Sequence, residues 1–156
     1  MKSIFTLLLL TSLISNVHAS ESLQFEHSWI RLTPPVSKNS AGYFTVSNHS
    51  EQDITIKSIT TSVAEKAELH NMTVVDGTMA MVHMPDFTIK AHQTIQFKPA
   101  GKHMMLMGLK KPLKSDQAIE VSFLLSDDTR QSVTFTVRRN GPKQEKSQQA
   151  KSHKHH

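Results

Sequence analysis

Ile119-Glu120-Val121-Ser122-Phe123-Leu124-Leu125, Ser126-Asp127-Asp128-Thr129 and Ser132-Val133-Thr134-Phe135-Thr136-Val137-Arg138 lie almost end to end near the close of the chain. In the outer two runs, apolar side chains fall at every second residue. Residues i and i+2 share a face of a strand, so each run buries one face and wets the other. The Ser/Asp/Thr cluster between them is turn chemistry. The three segments together predict a β-hairpin.

The same pattern extends back along the chain. Leu23 to Leu32 begins with alternation, ends apolar, and is stopped by Thr33-Pro34-Pro35. Ala41 to Asn48 predicts a second strand, Asp53 to Ile59 a third, and Ala67 to Met72 continues extended. Asp76-Gly77 is a turn signal, which predicts a hairpin between Leu69–Val74 and Met79–His83. Phe87–Lys90, Thr94–Phe97 and His103–Leu109 complete the set, with Pro99-Ala100-Gly101 as a turn. Only Ser62–Lys66 reads as a helical turn. Short strands at this spacing predict an all-β sandwich or barrel.

Three compositional zones divide the 156 residues. Lys2, the apolar run from Phe5 to Ile14, and Val17-His18-Ala19 have the order of a secretory signal peptide, so residues 1–19 are expected to be removed. The apolar run is too short for a membrane span, and none follows it. Export permits disulfides, yet the chain has no cysteine. Residues 20–139 then form the folded domain. Residues 140–156 have almost no apolar side chain and are expected to be a disordered basic tail. The formal charge of +5 comes from the end of the chain, from Arg138 onward, and not from the body of the domain. Residues 20–137 carry 11 Lys+Arg against 12 Asp+Glu, whereas residues 138–156 carry 6 against 1. A domain without a basic face is not expected to bind nucleic acid.

Beyond Met1, every methionine lies between residues 72 and 107: Met72, Met79, Met81, Met84, Met104, Met105 and Met107. His70, His83 and His103 are interspersed with them. Thioether sulfur and imidazole nitrogen form a soft, neutral donor set that favours Cu(I) over hard cations. The alternative is that methionine fills gaps in a core. Strand parity separates the two roles. His103 and Met105 share one face, while Met104 and Leu106 share the other and are expected in the core. His70 and Met72 repeat the His-x-Met spacing. Met79, Met81 and His83 share a face across the expected hairpin.

His70, Met81, His103 and Met105 stand at the separations of the periplasmic copper chaperone family often called PCu(A)C. Trp29-Ile30-Arg31, Ala41-Gly42-Tyr43-Phe44 with Asn48, and Pro99-Ala100-Gly101-Lys102-His103-Met104-Met105-Leu106 resemble that family's segments. Ala100 stands where the family has glycine. The resemblance covers about residues 23–137. It implies a cupredoxin-like β-sandwich holding Cu(I) through His70, Met81, His103 and Met105. It also implies a periplasmic carrier that delivers copper to the CuA centre of cytochrome c oxidase, often beside a Sco-type thiol partner.

Met72 is the leading candidate for a fifth ligand. His83, Met84 and Met79 read as solvent-exposed spectators, with reserve ligands as the alternative, Met107 as shielding or packing, and Trp29 as a core anchor. His27, His49 and His92 read as surface or locally bonded. His153, His155 and His156 resemble the His-rich extension of some family members, a candidate Cu(II) site. A copper buffer without a dedicated recipient uses the same residues, and an Ig-like structural domain would need the methionines as core. A blue-copper site needs Cys, and no Gly-x-Ser-x-Gly nucleophile signature is present. The chain is therefore expected not to be an enzyme.

Overall fold

A computed structural model describes residues 23–141. The expected signal peptide and the tail histidines His153, His155 and His156 lie outside the described residues. Within them there are ten strands and no helix. They are β1 (Leu23–Arg31), β2 (Asn39–Asn48), β3 (Ile54–Thr61), β4 (Ala64–Val75) and β5 (Thr78–His83). β6 (Phe87–Ile89), β7 (Thr94–Phe97), β8 (His103–Leu109), β9 (Ala118–Leu125) and β10 (Arg130–Arg138) follow.

The all-β expectation holds, and the pairing adds a closure that alternation alone does not reveal. The strands run β4-β8-β2-β1-β10-β9-β3, and Ile59 of β3 pairs with Ala67 of β4. That contact closes the hydrogen-bonded path into a ring, which leaves free edges only on strands appended to it. β5, β6 and β7 are appended to β4, β3 and β2. The β1–β10 pair is parallel and the other pairs are antiparallel.

The ring is filled from inside by Phe44, Phe97, Phe123, Phe135, Ile30, Met104, Leu106 and Val121, each at most 2% exposed. Phe44 stacks on Phe97 with centroids 4.4 Å apart and meets Phe135 edge-on at 5.6 Å. β1 faces this core on both sides of a bulge. Leu23 and Phe25 point inward at odd positions, His27 takes a left-handed backbone (φ 54°), and inward parity passes to Ile30. One extra residue in a strand has this effect. Trp29 consequently faces away from the main core. It is buried, as expected, but against Tyr43 at 4.6 Å and the Gly141 backbone.

The segment Ser62–Lys66 is not helical. Ser62 and Val63 form a tight turn, and β4 starts at Ala64. Ala64 and Ala67 are buried against the ring, and that tertiary packing overrides the weak helical propensity of the segment.

Candidate metal centre

β8 carries two opposite faces of different chemistry. Met104 and Leu106 are fully buried, as strand parity predicts, while Met105 and Met107 are partly exposed on the outer face. Gly42 makes room for Met104, because a Cβ there would stand 2.5 Å from the methionine's Cε.

The outer face extends through three strands. β4 pairs with β8 so that His70 opposes His103, Glu68 opposes Met105, and Lys66 opposes Met107. β5 pairs with β4 so that His83 opposes His70, Met81 opposes Met72, and Met79 opposes Val74. Directly opposed residues of antiparallel strands project on the same side. A row His83–His70–His103 therefore crosses the face. Met81 and Met72 lie on one side of it, with Glu68 and Met105 on the other.

The β4–β5 hairpin that brings Met81 into this row turns at Asp76 and Gly77. Both have positive φ (51° and 77°), the geometry of a two-residue I′ connection. Its outer part leaves Met79 56%, Met81 48% and Val74 62% exposed. Met81 thus sits on a projecting arm, whereas His103 is only 7% exposed within the ring wall.

Backbone carbonyls orient the two inner imidazoles. His103 Nδ1 donates to the Gly101 carbonyl at 2.9 Å, and His70 Nδ1 donates to the Glu68 carbonyl over a longer 3.4 Å. A carbonyl only accepts, so the protons reside on Nδ1 and each Nε2 offers a lone pair. This is the usual arrangement behind a metal-binding histidine. The two rings are near parallel with centroids 6.1 Å apart. Burial pushes the His70 pKa below the ordinary imidazole value, and its hydrogen bond to the Glu68 carbonyl only partly opposes this. The hydrogen bond from Lys66 holds the Glu68 carboxyl below its ordinary value.

All four residues named from the resemblance, His70, Met81, His103 and Met105, lie on this outer face, as does Met72. Met84 packs against the core instead. His49 and His92 are locally bonded, to Gln24 at 2.8 Å and to Glu51 at 3.1 Å.

Glu68 carries no motif in the sequence, and His83, which reads there as a spectator, stands directly opposite His70. Glu68 Oε1 meets Lys66 Nζ at 2.8 Å, while Oε2 lies 3.9 Å from Nε2 of both His70 and His83. The signal for His83 was present in the sequence: a two-residue turn at Asp76-Gly77 forces residue 70 opposite residue 83. Among the described residues, no three His, Asp or Glu side chains stand ready to hold a metal ion. An ion on this face has to recruit thioether sulfur or draw side chains inward.

The LpqE-like family model matches residues 23–137, from the first residue of β1 to the penultimate residue of β10. Lxx21020 of Leifsonia xyli subsp. xyli, whose name marks it as a candidate lipoprotein, is 29% identical over 120 residues. That match covers 76% of this chain and 71% of the relative. The solution structure of CuI-DR1885 from Deinococcus radiodurans is 29% identical, with a TM-score of 0.64 over 81% of this chain and 84% of that one. The copper-bound PCuAC domain from PmoF2 shares the fold, with a TM-score of 0.65 at 14% identity, over 79% of this chain and 97% of that one.

Proposed function

The chain belongs to the LpqE-like family, and from that membership we propose that it is a copper carrier of the PCuAC type, with Cu(I) as cargo rather than as a resident cofactor. The supporting observation is the outer face of β4, β5 and β8, where two imidazoles presenting Nε2 stand among methionine side chains. In this proposal His70, His103, Met81 and Met105 hold the ion and Met72 is in reserve.

All four donors are uncharged, so the loaded site keeps the single charge of the ion. Thioethers bind Cu(I) softly without the grip of thiolate. The two histidines, preset by backbone carbonyls, form the fixed half of the site. Met81, on the exposed arm, is the ligand a recipient displaces first. Ligands that leave one at a time suit a protein that must release its metal, and no catalytic turnover is involved.

The recipient we propose is the CuA centre of cytochrome c oxidase, reached in the periplasm after export through residues 1–19. With no cysteine in the chain, any disulfide reduction at the recipient falls to a Sco-type thiol partner. His153, His155 and His156 are proposed as a separate nitrogen-donor site for Cu(II).

The test is to load the full chain with Cu(I), record X-ray absorption, and mix it with an apo CuA domain. A mixed nitrogen and sulfur first shell and movement of copper to the CuA domain are expected. A shell of nitrogen and oxygen alone refutes the ligand set. Retention of all copper at equilibrium refutes delivery to CuA and leaves a buffer.

A further inference from the structure

We propose that His70, His83 and Glu68 form a second coordination set on the same face, one that takes a divalent copper ion. The set contains two imidazole nitrogens and a carboxylate oxygen, with no sulfur. Nitrogen and oxygen donors in a tetragonal array suit Cu(II), which also tops the affinity order of the divalent first-row ions. This assignment rests on the copper reading of the face only in that both sets use His70.

The geometry singles out Glu68. Its side chain lies on the metal-facing side of β4, two residues before His70 and opposite Met105. Lys66 Nζ holds Oε1 at 2.8 Å, which leaves Oε2 directed at the histidines. Oε2 is 3.9 Å from Nε2 of His70 and 3.9 Å from Nε2 of His83. The two imidazoles are cross-strand partners with ring centroids 5.2 Å apart.

With metal–ligand bonds of about 2.0–2.2 Å for imidazole and carboxylate, donors on opposite sides of an ion stand roughly 4 Å apart and neighbouring donors roughly 3 Å apart. One of the two 3.9 Å gaps already has the span of an opposed pair, and the other stands about 1 Å beyond a neighbouring one. Closing that second gap to the neighbouring kind takes about 1 Å of side-chain movement. The His83 side chain, 47% exposed, is free to make it.

The two sets divide the face by hardness. Met81, Met105 and His103 draw a monovalent ion to one mode, and Glu68 with His83 draw a divalent ion to the other. Glu68 also supplies an anionic oxygen, which it shares with Lys66, whereas the sulfur ligands are neutral. Because His70 belongs to both, the two modes exclude each other.

The experiment uses the full chain carrying His153→Ala, His155→Ala and His156→Ala, so that Cu(II) reports on the domain. Cu(II) chloride is titrated against a chelator of known affinity while electron paramagnetic resonance follows the bound ion. Cu(I) affinity is measured separately by chelator competition in ascorbate. In that background Glu68→Gln and His83→Ala are each expected to weaken Cu(II) binding about tenfold or more, with Cu(I) affinity unchanged. Loading with Ag(I), a redox-inert stand-in for Cu(I), is expected to block Cu(II).

Unchanged Cu(II) affinity in both variants overturns the proposal, as does simultaneous binding of Ag(I) and Cu(II) within the domain. Failure of the parent protein to bind Cu(I) at all refutes the carrier function instead, and the Glu68→Gln result on Cu(II) then stands by itself. Circular dichroism melts of both variants confirm that any loss is not unfolding.

Discussion

Met81→Ala and Met104→Ala remove the same side chain from the two kinds of position this protein gives to methionine, so their effects should cross over. Met104 is fully buried in the ring. Truncating it removes transfer energy and leaves a cavity, a loss of about 2–5 kcal/mol for a buried methionine. At several degrees per kcal/mol for a domain of this size, the melting temperature falls by roughly 10–20 °C. Met81 is 48% exposed. Its truncation loses only about half of the ~1.5–3 kcal/mol that full burial of such a side chain contributes, or about 1 kcal/mol.

The order reverses for copper. Loss of a ligating thioether is expected to weaken Cu(I) binding by at least the ~10–100-fold seen for supporting residues around a metal. By linkage this removes about 1.4–2.8 kcal/mol of copper-induced stabilisation at fixed free copper. Urea unfolding with and without Cu(I), in ascorbate and with a competing chelator to set free copper, measures both effects at once. Met81→Ala should unfold almost like the parent when apo and fall behind it when loaded. Met104→Ala should be weakened equally in both forms. The assignment of Met81 is refuted if the copper increment of Met81→Ala matches the parent's.

Gly77→Val places a β-branched residue at φ 77° with no neighbouring side chain to clash. The loss, about 1–2 kcal/mol for a left-handed L-residue, should appear as weaker Cu(I) binding along with lower thermal stability, because the turn sets the position of Met81. Asn48→Ala removes the buried amide that donates to the Gln52 and Ile89 carbonyls at 2.7 and 3.0 Å and accepts from Ser50 N–H at 3.0 Å. About 1–3 kcal/mol should be lost in urea titration for the stranded Ile89 carbonyl, with Cu(I) affinity unchanged. His70 has a folded pKa below its unfolded value of about 6.5. The apo protein should therefore hold full stability above that value and lose it as pH falls from there through the folded pKa, because the unfolded chain takes up the proton more readily. His70→Gln should flatten that part of the pH–stability curve, and a parent curve unchanged by the substitution counts against a partly buried, neutral His70.

Much of the strand content was legible because it is a local property. Alternation in Ile119–Leu125 and Ser132–Arg138 marks the faces that become β9 and β10, and Asp76-Gly77 marks the turn that becomes the β4–β5 hairpin. The split between Met104 and Met105 followed from parity alone. The helical reading of Ser62–Lys66 fails, and the place where Trp29 is buried is not legible, because both environments come from elsewhere. The bulge at His27 decides which way Trp29 faces, and packing of Ala64 and Ala67 against the ring draws Ser62–Lys66 into a tight turn and strand. Glu68 was passed over because a lone acidic residue in a strand carries no motif. It gains meaning only when register sets it beside two histidines.

The sequence by itself determined the donor types, their parity on each strand and the hairpin joining Met72 to Met81, since each depends on neighbours a few residues apart. Only the tertiary structure decided that β4 lies against β8. That pairing joins residues more than thirty positions apart and sets His70 opposite His103. Ring closure through Ile59 and Ala67 is likewise a long-range choice, made by the burial of Phe44, Phe123 and Phe135 rather than by any local preference. The face where nitrogen, sulfur and a single carboxylate meet exists because that core forces those strands side by side.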